Sequence, residues 1–265
     1  MPRTRGRLSA LLAALTLFAP PSCAAEPAAP PPHPWASGPA PSWQWQLSGT
    51  PDVDVDAEVF VLDPFATTAD VTDRLRARNR RLICSVEVGT YDPRRPDASR
   101  FPADVLGAPA GGDRRWLDIR RWDVLAPIVE DRFRLCLGKR FEAVAPLDAD
   151  GHLHRSGFPL SFDDQLVANR RVAAMARSLG LTVGLVNNLP QVTALAPDFD
   201  FAINEECVRL GQCDRLRPFV AAGKPVFHVE YTGDTGDFCV TSRGLGFASM
   251  RKDRSLGVWR EPCLR

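Results

Sequence analysis

Carboxylates, amides and aromatic rings recur in this chain at one kind of place, the end of a short apolar run. Trp45 and Gln46 close the run Trp43–Leu47, and Asp63 follows Val59–Leu62. Glu87 and Tyr91 lie at the end of Leu82–Val88, and Asp148 and Asp150 follow Ala143–Leu147. Asn187 follows Thr182–Val186, and Glu205 follows Phe201–Asn204. Glu230 and Tyr231 follow Pro225–Val229, and Lys252 follows Leu245–Met250. Amides and carboxylates hydrogen-bond sugar hydroxyls, and aromatic rings cover the apolar faces of sugar rings. Paired carboxylates also supply the acid and the nucleophile or base that break a glycosidic bond. Glu205 and Glu230 carry the most weight, because a carboxylate ending an apolar strand is costly to desolvate without a purpose.

Such residues meet only if the runs lie side by side. Most of the eight runs are continuous apolar stretches of the length of a strand covered on both faces. Helical spacing appears between them. Asp70–Arg78 carries Val71 and Leu75, and Val124–Leu137 follows Asp123 as N-cap with Pro127 in its first turn. Ser161 and Asp164 form a capping box, opening a helix toward Gly180, and Leu216–Ala222 ends at Gly223. Repeated strand-then-helix order with eight strands predicts an α/β fold, a small (β/α)8 TIM-type barrel, whose chemistry collects at the C-terminal strand ends. An open doubly wound sheet is the second possibility. No Gly-x-Gly-x-x-Gly turn follows a strand, so dinucleotide binding lacks its signature.

The chain has 265 residues, with 33 Lys and Arg against 32 Asp and Glu. That balance argues against a nucleic-acid partner. The apolar run Leu8–Ala19 is too short to span a bilayer, and with Arg3, Arg5 and Arg7 before it and small residues after it reads as a secretory signal over 1–24. Lipid attachment at Cys23 is the competing reading. Residues 25–42 are a Pro/Ala-rich linker, and 43–265 form the barrel domain. The expected location is therefore secreted, or lipid-anchored at the cell surface. Six of the seven cysteines remain after Cys23. Cys207 with Cys213 and Cys239 with Cys263 are expected as local disulfides. Cys84 and Cys136 are expected to be buried free thiols. Scattered histidines and the lack of Cys-x-x-Cys predict no metal site.

Seven motifs in order complete the picture: Trp43-Gln-Trp-Gln-Leu-Ser-Gly49, Trp116-Leu-Asp-Ile-Arg120, Gly157-Phe-Pro-Leu160, Asp164-Gln-Leu166 with Asn169, Asp200-Phe-Ala-Ile-Asn-Glu-Glu-Cys207, Val229-Glu-Tyr-Thr-Gly233 and Lys252-Asp-Arg254. Together, over residues 43–263, they resemble glycoside hydrolase family 114, the endo-α-1,4-polygalactosaminidases. The resemblance implies a barrel hydrolase of α-1,4-linked galactosamine or N-acetylgalactosamine polymers, without a cofactor. It also supports the two local disulfides, and it implies that Glu205 is a catalytic acid.

The chain departs from the family pattern after strand four. Members carry a Glu-Pro-Asp-Asn-type segment, where this chain reads Ala145-Pro-Leu-Asp148. Ala145 and Leu147 occupy the two acidic positions, Asp148 stands where the pattern has Asn, and Asp150 matches its later Asp. Val186 and Asn188 replace a cation and an acid, and Glu87 stands where a small hydroxyl residue is usual. Asp148, being one step from Leu147, points to the opposite face unless the strand has ended or bulged there. Two readings follow. One is a glycosidase using Glu205 with Asp150, Asp148 or Glu87. The other is a catalytically degenerate barrel that binds sugar. The substrate contacts expected in either case are Trp45, Gln46, Asp63, Glu87, Tyr91, Asn187, Glu230, Tyr231 and Lys252.

Overall fold

The computed structural model describes residue 1 and residues 40–263. The expected signal, Cys23 and nearly all of the linker lie outside the described residues. The apolar runs become parallel strands: β1 Trp43–Gln46, β2 Val59–Leu62, β3 Arg81–Glu87, β7 Ala143–Leu147, β8 Thr182–Val186, β9 Phe201–Glu205, β10 Val226–Glu230 and β11 Ala248–Arg251. They form one strongly curled, TIM-like sheet in the order β1-β2-β3-β7-β8-β9-β10-β11, with the short antiparallel β12, Glu261–Pro262, added beyond β11. The Trp43 indole bridges the first and last long strands by donating to Ala248 O at 2.9 Å.

Strand pleating sorts side chains between two layers. Trp43, Trp45, Val59, Val61, Ile83, Ala145, Ile203, Phe227 and Val229 fill the inside of the curl. Phe60, Leu62, Cys84, Val86, Val144, Val183 and Ala202 face outward into the layer covered by helices. Gly184 lets the interior close up, since a Cβ there would lie 2.0 Å from the Phe201 ring.

The outer layer consists of α1 Ala69–Ala77, α2 Trp122–Gly138, α3 Phe162–Ser178, the short α4 Val192–Leu195 and α5 Arg217–Ala221, and α6 Thr235–Gly244. The capping box at α3 is present, with Ser161 Oγ accepting from Asp164 N and Asp164 accepting from Ser161 N. Gly180 takes φ +79° just past its end. At α2 the expectation is corrected. The helix starts at Trp122 with Arg121 as N-cap, so Asp123 is a first-turn acid and Pro127 lies inside the helix. The last strand also starts later than expected, because Leu245 caps α6 and Gly246 turns at φ +77°.

Three disulfides occur among the described residues: Cys207–Cys213, Cys239–Cys263 and Cys84–Cys136. The third corrects the expectation of free thiols. Cys84 faces outward from β3 onto the buried face of α2, where Cys136 stands with a Cα separation of 5.9 Å. Among the described residues no helix is long and apolar enough to cross a membrane.

One segment without strand-like patterning adds structure beside the barrel mouth. Residues 90–117 form a small antiparallel sheet of β4 Thr90–Tyr91, β5 Leu106–Pro109 and β6 Arg115–Leu117, in the order β4-β6-β5. Ala108 N donates to Ser156 O at 2.8 Å, which ties this sheet to the loop after β7.

Candidate active site

A cleft of about 630 Å³ opens at the C-terminal ends of the strands. Trp45, Leu47, Leu147, Val186 and Leu256 give it apolar surface, and Asp148, Asp150, Asn187 and Glu205 bring polar groups. The small sheet and the loop after β7 form another wall with Arg114, Trp116, His154 and Arg155.

Glu205 is the best-supported carboxylate. Phe201 and Ile203 point into the barrel, so two-residue alternation puts Glu205 on the same face at the mouth. Asn187 sits just past β8 at φ +53°, a left-handed conformation that Asn tolerates. Its Nδ2 donates to Glu205 Oε1 at 2.8 Å, and its Oδ1 accepts from Glu205 N at 2.9 Å. Tyr231 shares the inward parity of Phe227 and Val229, and its hydroxyl donates to Glu205 Oε2. Burial and the neighbouring Glu205 carboxylate push the Tyr231 phenol well above its ordinary value, so it keeps its proton and remains a donor. Arg254 lies over the Tyr231 ring at 4.6 Å and also binds Glu206 at 2.8 Å.

Asp148 reaches the cleft because the strand ends. β7 stops at Leu147, and Asp148 takes φ +58°. The left-handed turn breaks the alternation that would have sent its side chain away from the face of Leu147. Gly89 makes room for this turn, since a Cβ there would lie 1.8 Å from Asp148 O. Asp148 Oδ2 accepts from Thr90 Oγ1 at 2.5 Å and forms an ion pair with Arg114. Burial raises its carboxyl above the usual Asp range, against the pull of the guanidinium and the hydroxyl. Asp150 lines the same cleft, 3.4 Å from His154 Nε2. That bond raises the imidazole toward its charged form, and the ring stacks on Trp116 with centroids 4.6 Å apart.

Six expected substrate contacts have other partners. Arg95 inserts between Asp63 and Glu87, pairing with Asp63 at 2.6 Å and with Glu87 directly, while Arg132 donates to Glu87 O at 2.6 Å. Glu87 is therefore neutralised under the loop after β3 rather than filling the space left by the missing acids. Tyr91 packs edge-on against Phe101. Gln46 ties down its own turn through Ser48 O and Thr50 O. Glu230 points outward, accepting from the backbone N–H groups of Val208 and Arg209 and lying 3.0 Å from His228 Nε2. Lys252 is buried, donating to Gln44 Oε1 at 3.0 Å and Gly257 O at 2.6 Å. Trp45, Asn187, Glu205, Asp148 and Asp150 line the cleft, and Tyr231 braces Glu205. Arg114, His154 and Arg155 are site residues that sequence reasoning misses. Their only sequence signal is a cationic pair beside Trp116 and a His-x-His-Arg run behind Asp150.

The sulfurs of Cys207 and Cys213 and a ring nitrogen of His228 lie within 4.8 Å of one another. The two sulfurs are joined in a disulfide, so the thiolates a metal would need are absent.

The curled parallel sheet with carboxylates at its mouth is a TIM-like fold of the kind glycoside hydrolases use. The sequence matches glycoside-hydrolase family GH114 over residues 24–265, and the chain belongs to that family. The crystal structure of Aspergillus fumigatus Ega3 in complex with galactosamine superposes with a TM-score of 0.81 at 26% identity, over 87% of this chain and 98% of that one. The glycoside hydrolase domain of PelA from Pseudomonas aeruginosa gives 0.67 at 13% identity, over 84% and 98%, a likeness of fold alone. No curated protein sequence matches the chain.

Proposed function

We propose that the chain hydrolyses α-1,4-linked galactosamine-containing polymers outside the cell, using Glu205 as general acid and Asp148 as the second carboxylate. The observation that carries this reading is the left-handed turn at Asp148, which returns a carboxylate to the Glu205 cleft although Leu147 occupies the family's acidic position. Glu205 would protonate the leaving oxygen. The donors Asn187 and Tyr231 would then hold the carboxylate that remains. Asp148, fixed by Thr90 and Arg114, would act on the sugar as nucleophile or through water. The similarity to Ega3, solved with galactosamine, supports the choice of sugar. The three disulfides suit an oxidising compartment.

The test is release of reducing ends from partly deacetylated galactosaminogalactan by the purified chain. Glu205→Gln and Asp148→Asn should each lower the rate by at least about 10²-fold, whereas Asp150→Asn should keep more of it. If the unaltered chain binds the polymer and never shortens it, the second reading holds, that of a sugar-binding barrel. The apolar Leu147 and the closed Asp148–Arg114 pair favour that second reading.

A further inference from the structure

Two charged residues beside the cleft take no part in the steps proposed for Glu205. Glu206 follows the end of β9, and Arg254 follows β11. Glu206 turns at φ +61°, and its backbone N–H donates to Val229 O at 2.8 Å. Its Oε1 collects two guanidiniums, Arg209 at 2.7 Å and Arg254 at 2.8 Å. Burial works to raise the Glu206 carboxyl, but the two guanidiniums hold it below its ordinary value, so it stays an anion. Arg254 is thereby fixed with its guanidinium carbon 4.6 Å from the centre of the Tyr231 ring. The segment that carries it is pinned at Leu256 O, which accepts from Leu47 N at 2.8 Å and Ser48 N at 3.2 Å.

This arrangement adds little to folding. The Arg254 side chain is 65% exposed, and an ion pair so open to water contributes little stability. What Arg254 covers is the phenol that donates to Glu205 Oε2. Burial and Glu205 raise that phenol, and Arg254 pulls against them. A nearby cation makes an O–H group more acidic, hence a stronger donor to the carboxylate that remains after proton transfer. Its contact with the ring face also holds the ring in place. Resting on the proposed use of Glu205 as general acid, we infer that Arg254, held by Glu206, is a positioning residue that acts on Glu205 through Tyr231.

The test joins cleavage kinetics to the titration of the Glu205 carboxyl, followed by carbon NMR in the full chain. Arg254→Met weakens the phenol as a donor, so the Glu205 carboxylate is less stabilised and its pKa rises. The expected shift is about half a unit upward, with kcat about three- to tenfold lower and KM within about twofold. Arg254→Lys keeps a cation near the ring and should recover most of both effects. The other charged groups of the cleft, Asp148 with Arg114, Asp150 with His154, and Arg155, are the same in every variant. In a Tyr231→Phe background, Arg254→Met should lose most of its effect on both readouts. An unmoved Glu205 titration in Arg254→Met overturns the inference. An equal shift in the Tyr231→Phe background overturns it too, as does a change confined to KM or the urea midpoint. If the unaltered chain cleaves nothing, the general-acid reading fails, and the NMR titration still decides whether Arg254 acts on Glu205.

Discussion

Glu205 and Glu230 end adjacent strands, one register step apart, since Glu205 pairs with Val229 in the β9–β10 ladder. Their surroundings are nevertheless opposite. Glu205 is partly open to the cleft and is held by two side-chain donors. Glu230 is 1% exposed, and its partners are backbone N–H groups and His228. The pleat makes the difference: inward positions at the strand ends face the cleft, and outward positions anchor the loops and helices that surround the mouth. Lys252 lies outside this rule, since it follows the end of β11 and is buried on Gln44 Oε1 and Gly257 O. Where the rule is broken, at Asp148, a left-handed turn breaks it.

The strongest test swaps the two glutamates' fates. Glu205→Gln should reduce kcat/KM by about 10²–10⁴-fold or more with the urea midpoint unchanged. Glu230→Ala should leave kcat/KM within about tenfold and cost about 3 kcal/mol of stability, since it orphans two backbone donors and a buried His228. Both effects on one variant would erase the contrast. A second contact on the outward face gives an effect of comparable size on stability. The variant with Cys84→Ala and Cys136→Ala should lose about 2–4 kcal/mol in urea unfolding and keep its cleavage rate.

Much of this arrangement is legible in the sequence. Eight apolar runs mark the parallel strands because strands buried on both faces must be apolar throughout. Alternation puts Glu230 and Tyr231 on opposite faces, and it is the packing of Phe227 and Val229 in the interior that makes Tyr231 the inward one. Other features are not legible. Asp63 and Glu87 lie on strand ends of the expected kind, yet Arg95 reaches them from a loop whose path no local pattern specifies. Residues 90–117 pair as strands of two to four residues, too short for alternation to register. Cys84 and Cys136 are 52 residues apart, and their meeting depends on how α2 lies on β3.

Asp148 sharpens the comparison through pH. Burial holds its carboxyl above the ordinary Asp range, and Arg114 and Thr90 pull it back down. If the ionised form is needed, kcat/KM falls as pH drops through that raised value. Arg114→Met removes the opposing cation, so the acid limb should move to higher pH, while Arg114→Lys should hold it near its original place. A limb that stays put in Arg114→Met would take Asp148 out of the chemistry and leave Asp150 as the second carboxylate.

The smallest expected effect lies at Lys252, a buried residue just past β11 that the sequence pattern places at the mouth. Burial lowers its ammonium from 10.5 to about 8, although Gln44 and Gly257 accept from it. Between those two values the unfolded chain binds the proton and the folded one releases it. Stability must therefore rise with pH across that window. The urea midpoint of the unaltered chain should climb from pH 8 to pH 10, and Lys252→Met should flatten that slope. Any other group that titrates there is common to both proteins, so the difference between the slopes belongs to Lys252. Cleavage at pH 7 should change little in Lys252→Met. A large loss of cleavage with the slope intact would place Lys252 among the residues that serve the cleft.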